Sequence, residues 1–483
     1  MYLRHFEELI AVDPADNPEH DCDRPLIDTS SGQPALQSSA RASPDWSGGA
    51  RMTTALVVST VFPANEQWVH GIQQRLGTQV EALARVVDRI DCLFLTAVRA
   101  AGGPEHLRAH EDRLRRRWTP KVSLTIAPVR RTKPASTRWP RWQCYGRGIF
   151  DVHSHPFLSE VNNEAAILAV RGALRAAPDL ICAHRLDAMS VLMKLPQEIG
   201  RTPVFFDLDD IEHVALARRL LHCPEWPMER LKLLQIPRLL LAELQATRRS
   251  RLTFVCSHRD RRYLRRLSCS RRVEVVSNSV RFPPTACVGA TEPVVLFVGY
   301  LGYKPNASAA EVLVRDIWPI VRTQVPNARL IVAGSSPELV SSYPASDPSI
   351  TFTGFVENLS ELYAQARVVC CPILTGAGTR VKIIEASAHA RAVVSTTLGA
   401  DGLPFENGRD IVLRDGVAPL AGECVRLLRD PAAAQRLGVA AREKARISHE
   451  RQTVVGQLEQ LFRAALRPVR ASRPAGGSAS QNI

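Results

Sequence analysis

The chain has 483 residues, of which 45% are hydrophobic and 23% are charged, and its formal net charge is +14. The chain is longer than domains built on a single hydrophobic core usually are, so its length predicts two domains. No apolar run reaches the roughly 20 residues that a membrane-spanning helix needs, and the acidic start lacks the apolar core of a secretory signal, so we expect a cytoplasmic protein. The positive charge, carried mostly by arginine, favours anionic partners such as nucleotide diphosphates, a lipid surface or nucleic acid.

The cysteines and the two chain ends carry little chemical signal. Eleven cysteines are scattered with no C-x-x-C pair, which disfavours a disulfide framework and a zinc site and favours free thiols.

Residues 1–51 and 467–483 are rich in small and polar residues and show no sustained period, so we predict disordered extensions at both ends. Met52 opens the first apolar segment and is an alternative start of the protein.

Short apolar runs in the first half alternate with helical patterns, which predicts a parallel sheet. The runs are ALVVST, DCLFLTA, DLICAH, PVFFDLDD, LTFVCS and VEVVSN. Polar residues stand at the ends of several runs, His184 and Asp209 among them. Because ligands collect at the carboxyl ends of strands in open α/β sheets, these ends are candidate site positions.

A second set of runs follows a break at RFPPTACVGATEP. These runs are VVLFVG, ARLIVAG, SITFTG, ARVVCCP, AVVSTT and DIVLRD. We therefore predict an α/β protein with two Rossmann-like domains, residues 52–285 and 286–447, followed by a helix over residues 448–466. No GxGxxG follows the first strand of either half, which disfavours a dinucleotide dehydrogenase.

The segment CCPILTGAGTRVKIIEASA carries the strongest chemical signal. A small-residue loop, Gly376-Ala377-Gly378, follows a buried strand, and a helix is predicted to begin near Thr379. Glycines permit close backbone approach, and the first amides of a helix attract anions. Arg380 and Lys382 add cationic donors beside the loop, so a diphosphate suits this place.

Glu385 lies four residues after Val381, at the edge of the apolar stripe of that helix. A carboxylate that faces a core is costly unless it is paired or given a ligand. Since a carboxylate can accept hydrogen bonds from both hydroxyls of a ribose, a nucleotide is one natural partner. A helix-edge glutamate paired with a neighbouring arginine is the simpler interpretation of this residue taken alone.

Three segments of the second half resemble one known family. They are FVGYLGYKPNASAAEVLVRDIWPIVRTQVPNARLIVAG, ITFTGFVENLSELYAQARVVCCPILTGAGTRVKIIEASA and AVVSTTLGADGL. In order, spacing and identity they resemble, over about 130 residues, the donor-binding domain of the retaining glycosyltransferases of family 4, also called group 1. The resemblance implies a GT-B fold, with the donor in a cleft between two Rossmann-like domains and a C-terminal helix that crosses back onto the first domain.

The same resemblance implies roles for individual residues. Glu385 would hold the ribose, and Gly299 and Lys304 would contact the diphosphate. Many members contact the donor sugar with a first acid eight residues earlier, where this chain has Ala377, as in the branch with a GAGTR type of loop. His184 would lie beside the reacting sugar.

The segment GIQQR, from Gly71 to Arg75, resembles the family's loop and helix after the first strand, where a glycine amide meets the phosphates. An ordinary helix start explains it equally well. At another strand end, the segment FDLDDIEH places Asp209, Asp210 and Glu212 toward the cleft, for acceptor contacts or cleft structure. Such acids can also hold a metal, but GT-B transferases generally need none, so we expect no metal and no cofactor beyond the nucleoside diphosphate sugar donor.

We therefore expect retaining transfer of a sugar from a nucleoside diphosphate sugar to a hydroxyl group of a saccharide or lipid-linked acceptor, in polysaccharide or glycolipid synthesis. Arginine-rich regions at residues 108–147 and 248–272 suit an anionic membrane surface and would equally suit nucleic acid. A solvated helix face explains the first region as well as membrane contact does, and it is the favoured explanation of the second. The alternatives are a non-catalytic nucleotide-sugar-binding relative and a GT-B epimerase or phosphorylase. A nucleic-acid-binding protein is disfavoured because no such module is recognisable.

Overall fold

The computed structural model describes residues 52–63, 71–96, 104–128, 161, 163–222, 227–285, 292–376 and 378–466. Both predicted terminal extensions, together with Trp139, Trp142 and Tyr145 of the first arginine-rich region, lie outside these residues. Within them, the chain forms two parallel sheets, each covered by helices, and the α/β prediction is confirmed.

The first sheet has seven parallel strands in the order β3-β2-β1-β4-β5-β6-β7. Its strands are β1 (Thr54–Ser59), β2 (Arg89–Thr96), β3 (Val122–Pro128), β4 (Leu180–His184), β5 (Val204–Asp209), β6 (Leu252–Val255) and β7 (Val273–Val275). Six of them match the predicted runs, whereas β3 was not predicted. This edge strand alternates apolar and polar residues within the first arginine-rich region, so its apolar signal is weak.

Helices cover both faces of the first sheet. They are α1 (Gly71–Ala84), α2 (Pro104–Arg117), α3 (Glu164–Leu174), α4 (Arg185–Leu192), α5 (Pro196–Ile199), α6 (Glu212–His222), a 3-10 helix (Pro227–Gln235), α7 (Ile236–Arg249) and α8 (His258–Ser268). One core joins the sheet to α3, α4 and α7, and the opposite core joins it to α1 and α2. The order of strands reverses between β1 and β4, which is where a crevice opens in a doubly wound sheet.

The second sheet has six parallel strands in the order β10-β9-β8-β11-β12-β13. The strands, all six as predicted, are β8 (Val294–Val298), β9 (Arg329–Ala333), β10 (Ile350–Gly354), β11 (Val368–Cys371), β12 (Ala392–Ser395) and β13 (Val412–Leu413). The helices are α9 (Lys304–Val312), a π-helical turn (Leu313–Ile317), α10 (Trp318–Gln324), a 3-10 turn (Pro337–Leu339), α11 (Leu359–Gln365), α12 (Val381–Ala388), α13 (Val417–Arg429), α14 (Pro431–His449) and α15 (Arg451–Leu466).

The last helix, α15, crosses back onto the first sheet. Val455, Leu458 and Phe462 are fully buried in the core that α1 shares with this sheet, and the Phe462 ring lies edge-on to Phe205 at 4.9 Å. The predicted start at residue 448 was wrong by three residues, since α14 continues to His449 and α15 begins at Arg451. The chain is extended at Glu450, which pairs with Val280 of the interdomain connection.

No helix within the described part of the chain is long and apolar enough to span a bilayer. The seven described cysteines are free thiols, and six of them are buried.

Candidate active site

The carboxyl edges of the two sheets meet, and side chains from both domains touch there. Asn278, just after the first sheet, donates a hydrogen bond from Nδ2 to Thr379 Oγ1 at 2.8 Å. Gln74 of α1 donates from Nε2 to Glu385 Oε1 of α12 at 3.3 Å. Residues of both domains, Asp210 and Gly378 among them, line a pocket of about 30 Å³ between the domains. The domains are therefore in contact across the predicted cleft.

The glycine loop has the backbone that its sequence predicts. Gly376 has φ of 101° and Gly378 has φ of 77°, a region that residues with a side chain rarely adopt. Ala377 lies outside the described residues. The following helix begins near Thr379, as predicted: α12 starts at Val381, with Arg380 as its N-cap residue. Thr379 is buried and accepts the hydrogen bond from Asn278.

The two predicted cations lie beside this loop and hydrogen-bond neutral groups. Arg380, the N-cap residue of α12, donates from Nη2 to Thr375 O at 3.2 Å. Lys382 donates from Nζ to Asn306 Oδ1 at 2.8 Å and lies 4.3 Å from the centre of the Phe297 ring. Burial lowers the pKa of Lys382 to about 8. Both cations are positioned to balance an anion at the loop.

Gly299 and Lys304 belong to the adjoining loop after β8. A Cβ on Gly299 would lie 2.6 Å from Lys382 Nζ and 3.0 Å from Asn306 Nδ2, so glycine at this position lets both side chains lie close to the loop backbone. Lys304 is exposed and is the first residue of α9. Its neighbours Tyr303 and Pro305 lie close to Gly376, so this loop adjoins the glycine loop.

Glu385 is half-buried at the boundary between the domains. Besides the bond from Gln74, its Oε2 accepts a long hydrogen bond from Tyr363 Oη at 3.5 Å. Burial raises the pKa of Glu385. The apolar face of α12, which includes Val381 and Ile384, packs on Val280, as the spacing of its apolar residues predicts. The hydrogen-bond partners of this carboxylate are neutral donors, so the arginine-paired interpretation is wrong.

The first domain contributes a buried ion pair that the sequence analysis missed. Arg75 of α1 donates from Nε to both carboxylate oxygens of Asp207 at 2.9 Å. Its Nη1 donates to Val276 O at 2.7 Å, and its Nε lies 3.5 Å from Asp209 Oδ1. Gln79 also bonds Asp207. This network ties α1 to the ends of β5 and β7.

Asp209 and Asp210 approach Cys256 closely enough that one ligand atom from each lies within 4.8 Å of the others. The Cys256 thiol donates to Asp209 Oδ1 at 3.0 Å, and burial raises its pKa well above the ordinary value. Arg75 supplies positive charge next to Asp209. The thiol hydrogen bond joins two members of this grouping, and the expectation that the protein needs no metal stays a prediction.

His184 ends β4 and is fully buried. Its Nδ1 lies 3.0 Å from Ser59 Oγ, and its Nε2 lies 3.9 Å from Asp207 Oδ2. Burial lowers its pKa to about 3, so the ring is neutral at physiological pH. This burial argues against the predicted direct contact with a reacting sugar, because strand ends and Asp207 surround the ring in place of solvent.

The remaining predicted residues lie at the same edge. Gly71 is the first residue of α1, and a Cβ there would lie 2.9 Å from Val381 Cγ2 of the other domain, so close domain packing requires glycine. Glu212, the first residue of α6, pairs with Arg185, whose φ of 73° is unusual for a residue with a side chain. Asp210 lies against Gly378.

Reasoning from sequence missed Gln74, Arg75, Asn306 and Tyr363. Arg75 and Gln74 are part of the GIQQR segment, which was singled out for its glycine alone. Asn306 follows Lys304 in the loop after β8. For Tyr363, whose partner Glu385 is 22 residues away, the sequence offers no local signal.

Comparison with known proteins gives one domain match. Residues 292–430 match the family model described as glycosyl transferases group 1. These residues resemble a group 1 glycosyltransferase domain. The domain match supports a transferase enzyme, and it covers the glycine loop, both cations and Glu385.

A curated relative matches a similarly sized part of the chain. It is an uncharacterised 44.6 kDa protein in the cps region of Klebsiella pneumoniae, 28% identical over 127 residues, which are 25% of this chain and 33% of the relative. The match thus spans about a third of the relative's length.

Solved structures match most of the chain. Sucrose-phosphate synthase from Thermosynechococcus elongatus superposes with a TM-score of 0.62 at 20% identity, covering 85% of this chain and 98% of that one. Anabaena HepE, in a crystal structure with UDP and glucose, superposes with a TM-score of 0.55 at 14% sequence identity. The match covers 86% of this chain and 100% of HepE. TarM superposes with a TM-score of 0.60 at 9% sequence identity, and the match covers 85% of this chain and 99% of TarM. The fold is GT-B, as predicted.

Proposed function

We propose that this protein is a retaining glycosyltransferase that moves a sugar from a nucleoside diphosphate sugar to a hydroxyl group of an acceptor. The observation that carries the proposal is the placement of Glu385. It lies one helical turn after Arg380 and Lys382, at the boundary between the domains, and accepts hydrogen bonds from neutral donors. Ribose hydroxyls are neutral donors of the same kind.

In this proposal the diphosphate binds at the glycine loop. The loop backbone approaches it closely, and Arg380 and Lys382 balance its charge. The bond between the anomeric carbon and the phosphate oxygen breaks with its electron pair passing to the diphosphate. The acceptor oxygen forms the new bond on the same face, and its proton passes to the leaving phosphate. The two cations stabilise the charge that develops on the leaving group.

A thermal-shift screen against UDP-, GDP- and ADP-sugars tests the proposal, because a ligand that binds the folded state raises stability. We expect one nucleotide to stabilise the wild type. Glu385→Ala is expected to weaken its binding about 10- to 100-fold, since bonds to a charged group are lost. Glu443→Ala, an exposed glutamate on α14, is the matched control and is expected to bind normally. Normal nucleotide binding by Glu385→Ala would contradict the assignment.

Product analysis with the donor so identified separates the classes. A transferase yields nucleoside diphosphate and a glycosylated acceptor, an epimerase yields an isomeric nucleotide sugar, and a phosphorylase requires phosphate. Binding without turnover would indicate a non-catalytic relative. The relative from a cps region supports screening saccharide acceptors from cell-surface polysaccharide synthesis first.

We also propose that the first domain docks on an anionic membrane surface, which would give access to a lipid-linked acceptor. Residues 218–272 hold fifteen Lys and Arg against four Asp and Glu, a net charge of +11 out of +14 for the whole chain. On the adjoining helices α6, the 3-10 helix and α7, four leucines are 38–58% exposed: Leu221, Leu231, Leu234 and Leu241. Exposed leucines among basic residues suit an interface with anionic lipid.

Sedimentation with vesicles tests this surface. We expect salt-sensitive binding to phosphatidylglycerol-containing vesicles, little binding to pure phosphatidylcholine, and weaker binding by the double variant Leu234→Ser/Leu241→Ser. Leu168→Ser, an exposed leucine on α3, is the matched control. Unchanged sedimentation of the double variant, or a salt-dependent gel shift with nucleic acid in place of vesicle binding, would overturn the membrane proposal.

A further inference from the structure

Asp210 reaches across the domain boundary to the glycine loop. It follows the last residue of β5, Asp209, whose φ is 60° and where the pairing of β5 with β6 shifts register. This irregular strand end turns the next residue out of the sheet. A Cβ on Gly378 would lie 2.1 Å from Asp210 Oδ1, so the carboxyl group of the first domain packs directly on the loop of the second.

The Asp210 carboxyl group differs from that of its neighbour Asp209 in its contacts with other residues. Asp209 accepts from Cys256 and lies beside Arg75. Among the described residues, none donates a hydrogen bond to the Asp210 side chain and none forms an ion pair with it within 4.0 Å, although the charges of Arg185 and Arg380 act to lower its pKa. The side chain lines the pocket between the domains. The charged and titratable groups around it are Asp209, Glu212 and Arg185 of the first domain, Arg380 and Tyr303 of the second, and Arg218, Arg259, Asp260 and Asp401 along the pocket.

Burial, with the negative charges of Asp209 and Glu212, raises the pKa of Asp210 to about 7. Near neutral pH this group is therefore available in both forms, as a carboxylate that accepts hydrogen bonds and as an acid that also donates one. Perturbed carboxyl groups that line a cleft are typical of functional sites. The geometry gives Asp210 a definite place, because its oxygen touches the residue next to which the diphosphate is proposed to bind.

We propose that Asp210 determines donor specificity by hydrogen-bonding hydroxyl groups of the transferred sugar when the two domains close on the donor. The proposal rests on the proposed function. In a nucleotide sugar the sugar ring is bonded directly to the diphosphate, so a ring that follows a diphosphate on the glycine loop meets the group that faces Gly378. A site built to bond a hydroxyl group discriminates strongly against a sugar that lacks it, since the carboxyl group is then left unpaired.

The test compares a nucleoside diphosphate with the matching nucleotide sugar, using the donor that stabilises the wild type most among UDP-glucose, UDP-N-acetylglucosamine, GDP-mannose and ADP-glucose. Calorimetric titration of Asp210→Asn is expected to show about 10- to 100-fold weaker binding of the nucleotide sugar, because bonds to a carboxylate are lost. Binding of the nucleoside diphosphate is expected to change less than about threefold, since no sugar is present. Asp112→Asn, an exposed aspartate on α2, undergoes the same chemical change and is expected to match the wild type.

Donor analogues that lack one hydroxyl group identify which hydroxyl group of the sugar Asp210 contacts. For the 3-, 4- or 6-deoxy analogue that lacks the contacted hydroxyl group, wild type and Asp210→Asn are expected to bind alike. A structural role for Asp210 would instead weaken both ligands together and lower the melting temperature. Asp210→Glu is the second variant should Asp210→Asn fail to fold, and it is expected to change the ranking of sugars.

The two proposals fail differently. Should no nucleotide sugar stabilise the wild type, or should Glu385→Ala bind nucleotide normally, the proposed function fails and the role of Asp210 with it. Equal weakening of nucleoside diphosphate and nucleotide sugar by Asp210→Asn, or unchanged binding of both, overturns the role of Asp210 and leaves the proposed function standing.

Discussion

The two edges that face each other across the domain boundary carry their charges in different ways. At the first-domain edge, Asp207 and Asp209 lie beside the buried guanidinium of Arg75, so opposite charges meet inside the protein. At the second-domain edge, Arg380 hydrogen-bonds a backbone carbonyl and Lys382 an asparagine, both neutral groups. Removing one partner of a buried ion pair leaves an uncompensated charge and destabilises the fold, whereas Arg380 and Lys382 beside the glycine loop are suited to an anionic ligand. Substitutions at the two edges should therefore affect different measurements.

The largest effect is expected for Arg75→Met. The substitution removes the guanidinium group and leaves the carboxylates of Asp207 and Asp209 buried without their counterion. This should lower the free energy of unfolding by about 3–5 kcal/mol. Urea denaturation measures the change. Arg116→Met on α2 removes an exposed arginine and is expected to change stability by less than about 0.5 kcal/mol. A stability loss below about 1 kcal/mol for Arg75→Met would break the contrast between the edges.

The second prediction concerns His184. Removal of this fully buried ring in His184→Ala is expected to cost about 2–4 kcal/mol of stability. Because the folded pKa of about 3 lies below the ordinary value, the unfolded chain binds more protons, and the stabilising contribution of His184 should shrink as pH falls from about 6.5 toward 3. Urea denaturation at several pH values measures this. Normal stability with a strongly reduced transfer rate would instead support the catalytic role that the resemblance implies.

The third prediction concerns Arg380 at the opposite edge. Arg380→Ala is expected to lower the transfer rate about 10- to 100-fold, because the charge of the leaving diphosphate loses one cationic donor. The free energy of unfolding should change by less than about 1 kcal/mol. Steady-state kinetics and urea denaturation of one preparation measure both. A loss of stability with an unchanged rate would remove Arg380 from the site.

The smallest effect is expected for Lys382, in the pH dependence of donor binding. With its pKa lowered to about 8 by burial, Lys382 loses its charge as pH rises through 8, so binding of the nucleoside diphosphate, which Asp210 is not expected to contact, should weaken about tenfold between pH 7 and 9. Lys382→Met is expected to bind weakly at both pH values and to show a flat profile. An equal pH dependence in the variant would assign the titration to another group.

Much of the fold was predictable because its signals are local. Both sheets were predicted from apolar runs between helical patterns, and the glycine loop from its small residues, since each signal occupies a few adjacent positions. The strand β3 was not predicted, because an edge strand buries only alternate residues and its apolar pattern is therefore weak. The bond from Asn278 to Thr379, which joins residues 101 positions apart in the chain, could not be predicted because the sequence carries no local signal for it.

The amino-acid sequence alone determined that this chain builds two α/β units and that one carries a glycine loop, predicted to bind an anion, with Glu385 about one helical turn beyond it. Folding in three dimensions decided which charged groups are satisfied internally. Arg75 meets Asp207 across 132 residues, and Asp210 reaches the loop at Gly378 from the other domain. Spacing along a chain encodes periodicity and capping, but the energy of a buried charge depends on neighbours that only the closed packing of both domains brings together.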